Sequence, residues 1–215
     1  VPHELGRWRH KAIAECDASN RRAVVALLRR ALRGVMTREK HMDHDRQGDY
    51  LHELYHTGLR DMHALEMTAI ELTQRQTERL ENYPEMKAKL RQHHAESEAQ
   101  AKRLEDILNR HSTSTSGVKN TVTAVMGNVA AALHAPASDE VLKNTFANFA
   151  FEHQEIAAYT SLIAMARSLG DHAAVPLLQE SLGEEERMAA WIKGQIVPTT
   201  ERFMDLTRTG QRAGV

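Results

Sequence analysis

At 215 residues with 41% apolar side chains, the chain is long enough for one large helical domain with a real core. Its single cysteine, Cys16, excludes an internal disulfide framework and fits a reducing compartment; no run reaches the roughly 18 apolar residues of a membrane span, so a cytoplasmic protein with no membrane partner is expected. The formal net charge of −1 conceals an asymmetry: residues 1–40 carry 10 Lys or Arg against 4 Asp or Glu, and the remainder 18 against 25.

Aromatic residues are 5% of the chain and there are 5 prolines, a composition that favours helices over a sandwich or barrel. Three regions are expected: a basic N-terminal extension over 1–46, a helical body over 47–196 and a tail over 197–215. In the extension, RRAVVALLRRALRGV reads as a short amphipathic helix with Val24, Leu27, Leu28, Ala31 and Leu32 on one side. Arg21, Arg22, Arg29, Arg30 and Arg33 form a patch suited to phosphates, which makes nucleic acid a candidate partner through residues 21–33, although no base-reading motif accompanies it.

The body opens with a helix expected from within GDYLHELY to about Thr77, with Leu51, Leu54, Tyr55, Leu59, Met62, Leu65, Ala69 and Leu72 at helical spacing. Asn82, Tyr83 and Pro84 break it, and Pro84 suits the first turn of the next helix, which continues to about Arg110. So short a connection makes the two antiparallel. HSTSTSG then interrupts, and VKNTVTAVMGNVAAALHA, weakened by Gly127 and β-branched residues, reads as a short helix within a long crossover. Ser138, Asp139 and Glu140 signal the start of a third helix that extends to about Leu169. Gly170 and Asp171 turn the chain into a fourth, expected from about Asp171 or His172 to Gly194 with an early kink at Pro176. The tail is not expected to complete the core: TTERFMDL would form one more short helix, and the end beyond Gly210 would fray.

Ionisable residues fall on the inward stripes of all four body helices. Glu66 lies on the stripe of Leu59, Met62 and Leu72 in the first; His93, Glu96 and Gln100 form a ladder in the second; Glu152, Glu155 and Tyr159 form another in the third. In the fourth, Glu185 continues Leu178 and Leu182 and is preferred over Glu184. Charged groups are rarely buried without a partner or a metal. Two divalent ions close together need bridging carboxylates, with imidazole or further oxygens completing each shell. Tyr159, one turn beyond Glu155, is the candidate catalytic residue, placed to hydrogen-bond a ligand or to be oxidised, while His94 and His153 flank the ladders. The competing reading is that each Glu sits at the edge of the core and reaches solvent, leaving a scaffold without a metal.

The stretches LHELYHTGLRDMHALE (51–66), HHAESEAQAKRLEDIL (93–108), FEHQEIAAYTSL (151–162) and LLQESLGEEE (177–186) resemble the bacterial stress-associated ferritin-like proteins of the YciE and YciF type. The resemblance covers about residues 47–193, and its most specific piece runs from Glu152 to Leu162. It implies an all-α, ferritin-like four-helix bundle of two antiparallel hairpins, commonly a dimer, with a dinuclear metal centre at Glu66, Glu96, Glu152, Glu155 and Glu185, joined by His93 and Gln100. The usual layout places His three residues after Glu on two helices. Here His93 precedes Glu96, Gln100 stands where an imidazole could serve, and Met188 follows Glu185 by three. Such a nitrogen-poor set favours iron or manganese over zinc or copper. The function expected is a carboxylate protein with two such ions per chain, reacting with dioxygen or peroxide in stress protection; a non-catalytic scaffold, with or without nucleic acid on its basic arm, is the alternative.

Overall fold

The computed structural model of the chain describes residues 18–112 and 138–214, with the backbone alone over 18–46. Two units are distinguished, Val1–Leu51 and His52–Val215. Among the described residues there are helices and no strands: α1 (Ala18–Arg79), α2 (Pro84–Arg110), α3 (Glu140–Ser168) and α4 (Val175–Arg208). None of them is long and apolar enough to cross a membrane.

Helix α1 begins far earlier than the expected start near Gly48. No proline falls between Ala18 and Arg79, and helix-favouring Arg, Ala and Leu fill the segment, so nothing in the backbone stops it. The arginines proposed for nucleic acid lie where only this helical backbone is described. Among the residues whose side chains are described, the buried stripe begins at Tyr55; Leu51 and Leu54, placed on it by spacing, are exposed. Pro84 occupies the first turn of α2 as expected. Helix α3 starts one residue later than its Ser signal, with Asp139 at the cap position and no side-chain cap bond.

Cross-helix pairs fix the directions. Thr73 meets His94 and His63 meets Glu105, so α1 and α2 are antiparallel. Gln76 meets Asn148 and Glu66 meets Tyr159, so α1 and α3 are antiparallel as well. Helices α2 and α3 therefore run the same way, and the end of one and the start of the other lie at opposite ends of the bundle, as a long crossover requires. Residues 113–137, with the short helix expected there, lie outside the described residues.

Two apolar clusters fill the interior. One gathers Tyr55, Leu59, Met62, Leu104, Ile107, Leu162 and Leu178 among others; the second gathers Leu80, Tyr83, Leu90, Val141, Met188 and Ile192. On α2 and α4 the buried polar residues His93, Ser97, Gln100, Ser181 and Glu185 fall in sequence between the members of these two clusters.

The turn from α3 to α4 is a Schellman arrangement. Gly170, at φ +77°, supplies the left-handed residue, its N–H donates to Arg167 O, and Asp171 N–H donates to Ala166 O. Helix α4 starts at Val175, so Pro176 sits in its first turn and does not kink it. At the other end the expected break near Gly194 is absent: α4 runs through Pro198 to Arg208. A proline there removes one helical hydrogen bond, but Thr199 and Leu206 on the same helix are buried and offset the loss. Gly210 repeats the Schellman stop, and the tail beyond it is tied down. Tyr83 Oη donates to Ala213 O at 2.6 Å, Val141 N–H donates to Gly214 O at 3.0 Å, and Asn82 Nδ2 donates to Arg212 O at 2.7 Å. The end therefore closes the second apolar cluster instead of fraying.

The α1–α3 contact depends on a missing side chain. A Cβ on Gly58 would stand 3.0 Å from Leu162 Cδ2, whereas one on Gly194 would meet nothing within 4 Å. Gly58→Val is expected to cost about 1–3 kcal/mol through overpacking, and Gly194→Ala to gain up to about 1 kcal/mol from helix propensity. Urea unfolding of both variants checks the pair: equal effects would mean that the close approach carries no weight.

Candidate metal centre

Helix periodicity turns the ladders inward, and the structure brings most of the expected groups together. Glu66, Gln100, Glu155 and Glu185 have no solvent exposure, and His93 and Glu152 have almost none. One ligand atom from each of His93, Glu152, Glu155 and Glu185 lies within 4.8 Å of all the others. His93 Nε2 stands 3.3 Å from Glu152 Oε2 and 3.7 Å from Glu185 Oε2.

The remaining expected residues border this group. Tyr159 Oη donates to Glu66 Oε1 at 2.5 Å, across from α3 to α1. Gln100 Nε2 donates to Glu185 Oε1 and, at 3.0 Å, to Glu184 Oε2. Glu96 lies on the other edge of the His93 ring, 3.4 Å from Nδ1, and accepts from Gln92 at 2.9 Å. Of the adjacent pair on α4, Glu185 faces the cluster. Glu184 is held by both terminal nitrogens of Arg103, at 2.7 and 3.0 Å.

Arg103 and Ser97 were not singled out in the sequence. Arg103 also binds Glu180 and Ser181, a cross-helix set that no pattern within α2 announces. Ser97, one turn beyond His93, had a legible signal, a polar residue on an inward stripe; its Oγ is buried without a hydrogen-bond partner.

The same deficit marks the carboxylates. Both oxygens of Glu155, and one each of Glu66, Glu152 and Glu185, are buried with no hydrogen-bond partner, as is Gln100 Oε1. Burial pushes Glu155 well above the ordinary glutamate range, and the nearby Glu66, Glu185 and Glu152 carboxylates push it further. Glu66 and Glu152 are raised well above it too, first by burial and then by neighbouring carboxylates, Glu185 foremost. Burial, followed by the Glu66 carboxylate, also raises Tyr159, which keeps its phenolic proton. Glu96 moves the other way: its bond with His93 lowers it, against the smaller upward push of burial.

Solved structures share this fold. A crystallised protein from Xanthomonas campestris pv. campestris is 27% identical, with a TM-score of 0.63 over 74% of this chain and 99% of its own. YcfI from Rhodopseudomonas palustris is 25% identical, with a TM-score of 0.59 over 66% of this chain and 92% of its own. The Escherichia coli stress protein YciF, at 22% identity, matches with a TM-score of 0.58 over 68% of this chain and 94% of its own. The family model described as a domain of unknown function, DUF892, matches residues 50–205, most of the bundle and more than half of the chain, and the chain belongs to that family.

Proposed function

We propose that the bundle holds two divalent cations, iron or manganese, between its helices and uses them to react with dioxygen or peroxide in stress protection. The observation that carries the reading is the set of buried carboxylate oxygens without hydrogen-bond partners at Glu66, Glu152, Glu155 and Glu185. Leaving such groups unsatisfied is costly. Four carboxylates, if ionised, carry the charge that two divalent cations offset, and a set rich in oxygen suits iron or manganese.

His93, Glu152, Glu155 and Glu185 would hold one ion, and Glu66 with Glu155 and Glu185 the other. When bound, the ions would supply redox electrons and a place for the small oxidant. Arg103 holds Glu184 aside, and Gln100, whose Nε2 donates to both carboxylates, ties Glu185 in its inward position. Tyr159 orients Glu66 and is the buried oxidisable side chain beside the carboxylates, able to give up its proton towards Glu66. The apolar clusters exclude bulk water from the polar layer. The stress role is supported by the likeness to YciF, which is itself described as a stress protein.

Elemental mass spectrometry of protein purified without chelators, and again after anaerobic reconstitution, tests the reading. About two iron or manganese ions per chain are expected, and loss of both in a Glu152→Gln, Glu155→Gln double variant that remains folded. Wild-type protein that stays empty after reconstitution would leave the bundle as a scaffold.

A further inference from the structure

The i, i+3 spacing that makes His93 and Glu96 resemble two ligands puts Glu96 one turn along the helix, at the flank of the imidazole and not at its tip. The two ring nitrogens consequently face different surroundings. Nε2 looks into the buried cluster, towards Glu152 Oε2 and Glu185 Oε2. Nδ1 looks at Glu96 Oε2, 3.4 Å away. Glu96 is in turn held from outside, by Gln92 Nε2 on its Oε1. Its side chain is 21% exposed, against 5% for Glu152 and 0% for Glu185.

An ionised carboxylate can only accept a hydrogen bond. The Nδ1–Glu96 contact has hydrogen-bond geometry, whereas Glu152 Oε2, though 3.3 Å from Nε2, makes no hydrogen bond, so the proton lies on Nδ1 and the lone pair of a neutral ring on Nε2. Histidines that bind metals are commonly fixed this way, by a carboxylate on the nitrogen that does not bind. We infer that Glu96 is a positioning residue and not a ligand: held by Gln92, it keeps the His93 proton on Nδ1 and presents Nε2 to the cation. The affinity arm of this inference rests on the metal-centre reading above; the tautomer arm does not.

The test compares wild type, Glu96→Gln and Glu96→Ala labelled with 15N-histidine. Long-range proton–nitrogen spectra are recorded metal-free, above the pH at which the ring becomes neutral, and with zinc as a diamagnetic probe; zinc and manganese affinities are measured by calorimetry. A glutamine oxygen still accepts from Nδ1, so Glu96→Gln should keep the Nδ1–H tautomer and bind within a few-fold of wild type. Glu96→Ala should mix the tautomers and lose about 10–100-fold in affinity. Equal losses in Glu96→Gln and Glu96→Ala would make Glu96 a ligand and overturn the inference. Zinc on Nδ1, or an unchanged tautomer and affinity in Glu96→Ala, would overturn it too. If wild type takes up neither cation, the metal-centre reading fails, and the metal-free spectra still decide: Nδ1–H supports the pairing, Nε2–H or a mixture refutes it.

Discussion

Freed of cations, the protein should lose stability as pH rises above the ordinary glutamate value, the opposite of what paired carboxylates usually produce. Glu66, Glu152 and Glu155 are all raised in the fold by burial and then by neighbouring carboxylates, Glu185 among them in every case. Between the ordinary glutamate value and these raised values, the folded chain holds protons that the unfolded chain has released. The unfolded state is then favoured by about 1.4 kcal/mol per pH unit for each such group. Divalent cations reverse the trend, because they bind the ionised form and displace those protons, so affinity climbs with pH. A cation at 100 times its dissociation constant adds about 2.7 kcal/mol.

Glu155→Gln separates the two contributions. Neither Glu155 oxygen has a hydrogen-bond partner, so the amide preserves shape while removing a group that the metal-free fold buries only together with a proton. The metal-free variant should be more stable than metal-free wild type above neutral pH, show a shallower pH slope and gain little from added manganese. Urea unfolding with and without chelator measures all three. A metal-free wild type whose stability rises with pH, or a Glu155→Gln variant that is weaker throughout, would refute the account.

The parts of this arrangement legible in the sequence are those written in helical period. Glu66, His93, Glu152, Glu155 and Glu185 each sit three or four residues from apolar neighbours, and that spacing alone turned them inward. Pro84 and Gly170 marked real boundaries for the same local reason. What depends on a second helix was not legible. On α4 the stripe of Leu178 and Leu182 pointed to Glu185, but what holds Glu184 aside is Arg103 on α2, which no pattern within α4 announces. The continuation of α4 past Gly194 was hidden because Pro198 is a breaker by local rules, and only burial of Leu206 and Ala213 against Tyr83 and Val141 overrides it. The two faces of His93 are likewise a tertiary matter, since spacing reports which helix side a residue occupies and not which ring nitrogen meets which neighbour.

Asp171→Ala should cost about 2–4 kcal/mol, although the residue lies outside the polar layer. Three bonds converge on this carboxylate in the α3–α4 turn. Tyr55 Oη donates to Oδ2 at 3.0 Å, His111 Nε2 lies 2.7 Å from the same oxygen, and Ala174 N–H donates to Oδ1 at 3.2 Å. Tyr55 is fully buried, so losing its acceptor strands a phenol in the core. The pH dependence has the sign opposite to that of the glutamate cluster. Burial alone would push Asp171 up, but the bonds from His111 and Tyr55 outweigh it and hold the carboxyl below its ordinary value. Its contribution is therefore complete above about pH 4, the value in the unfolded chain, and is lost as pH falls through the lower folded value. The gap between wild type and Asp171→Ala should be wide at neutral pH and close in acid. Asp171→Asn, which keeps an acceptor but no charge, should fall between them. In a double-mutant cycle, Tyr55→Phe should cost less in the Asp171→Ala background than in wild type, because the hydroxyl has already lost its partner. Additive effects would show that the turn and α1 are not coupled through this oxygen. If they are coupled, acid weakens the clamp at one end of the bundle while it relieves the repulsion among the buried glutamates, and the metal-free protein should be most stable between the two transitions.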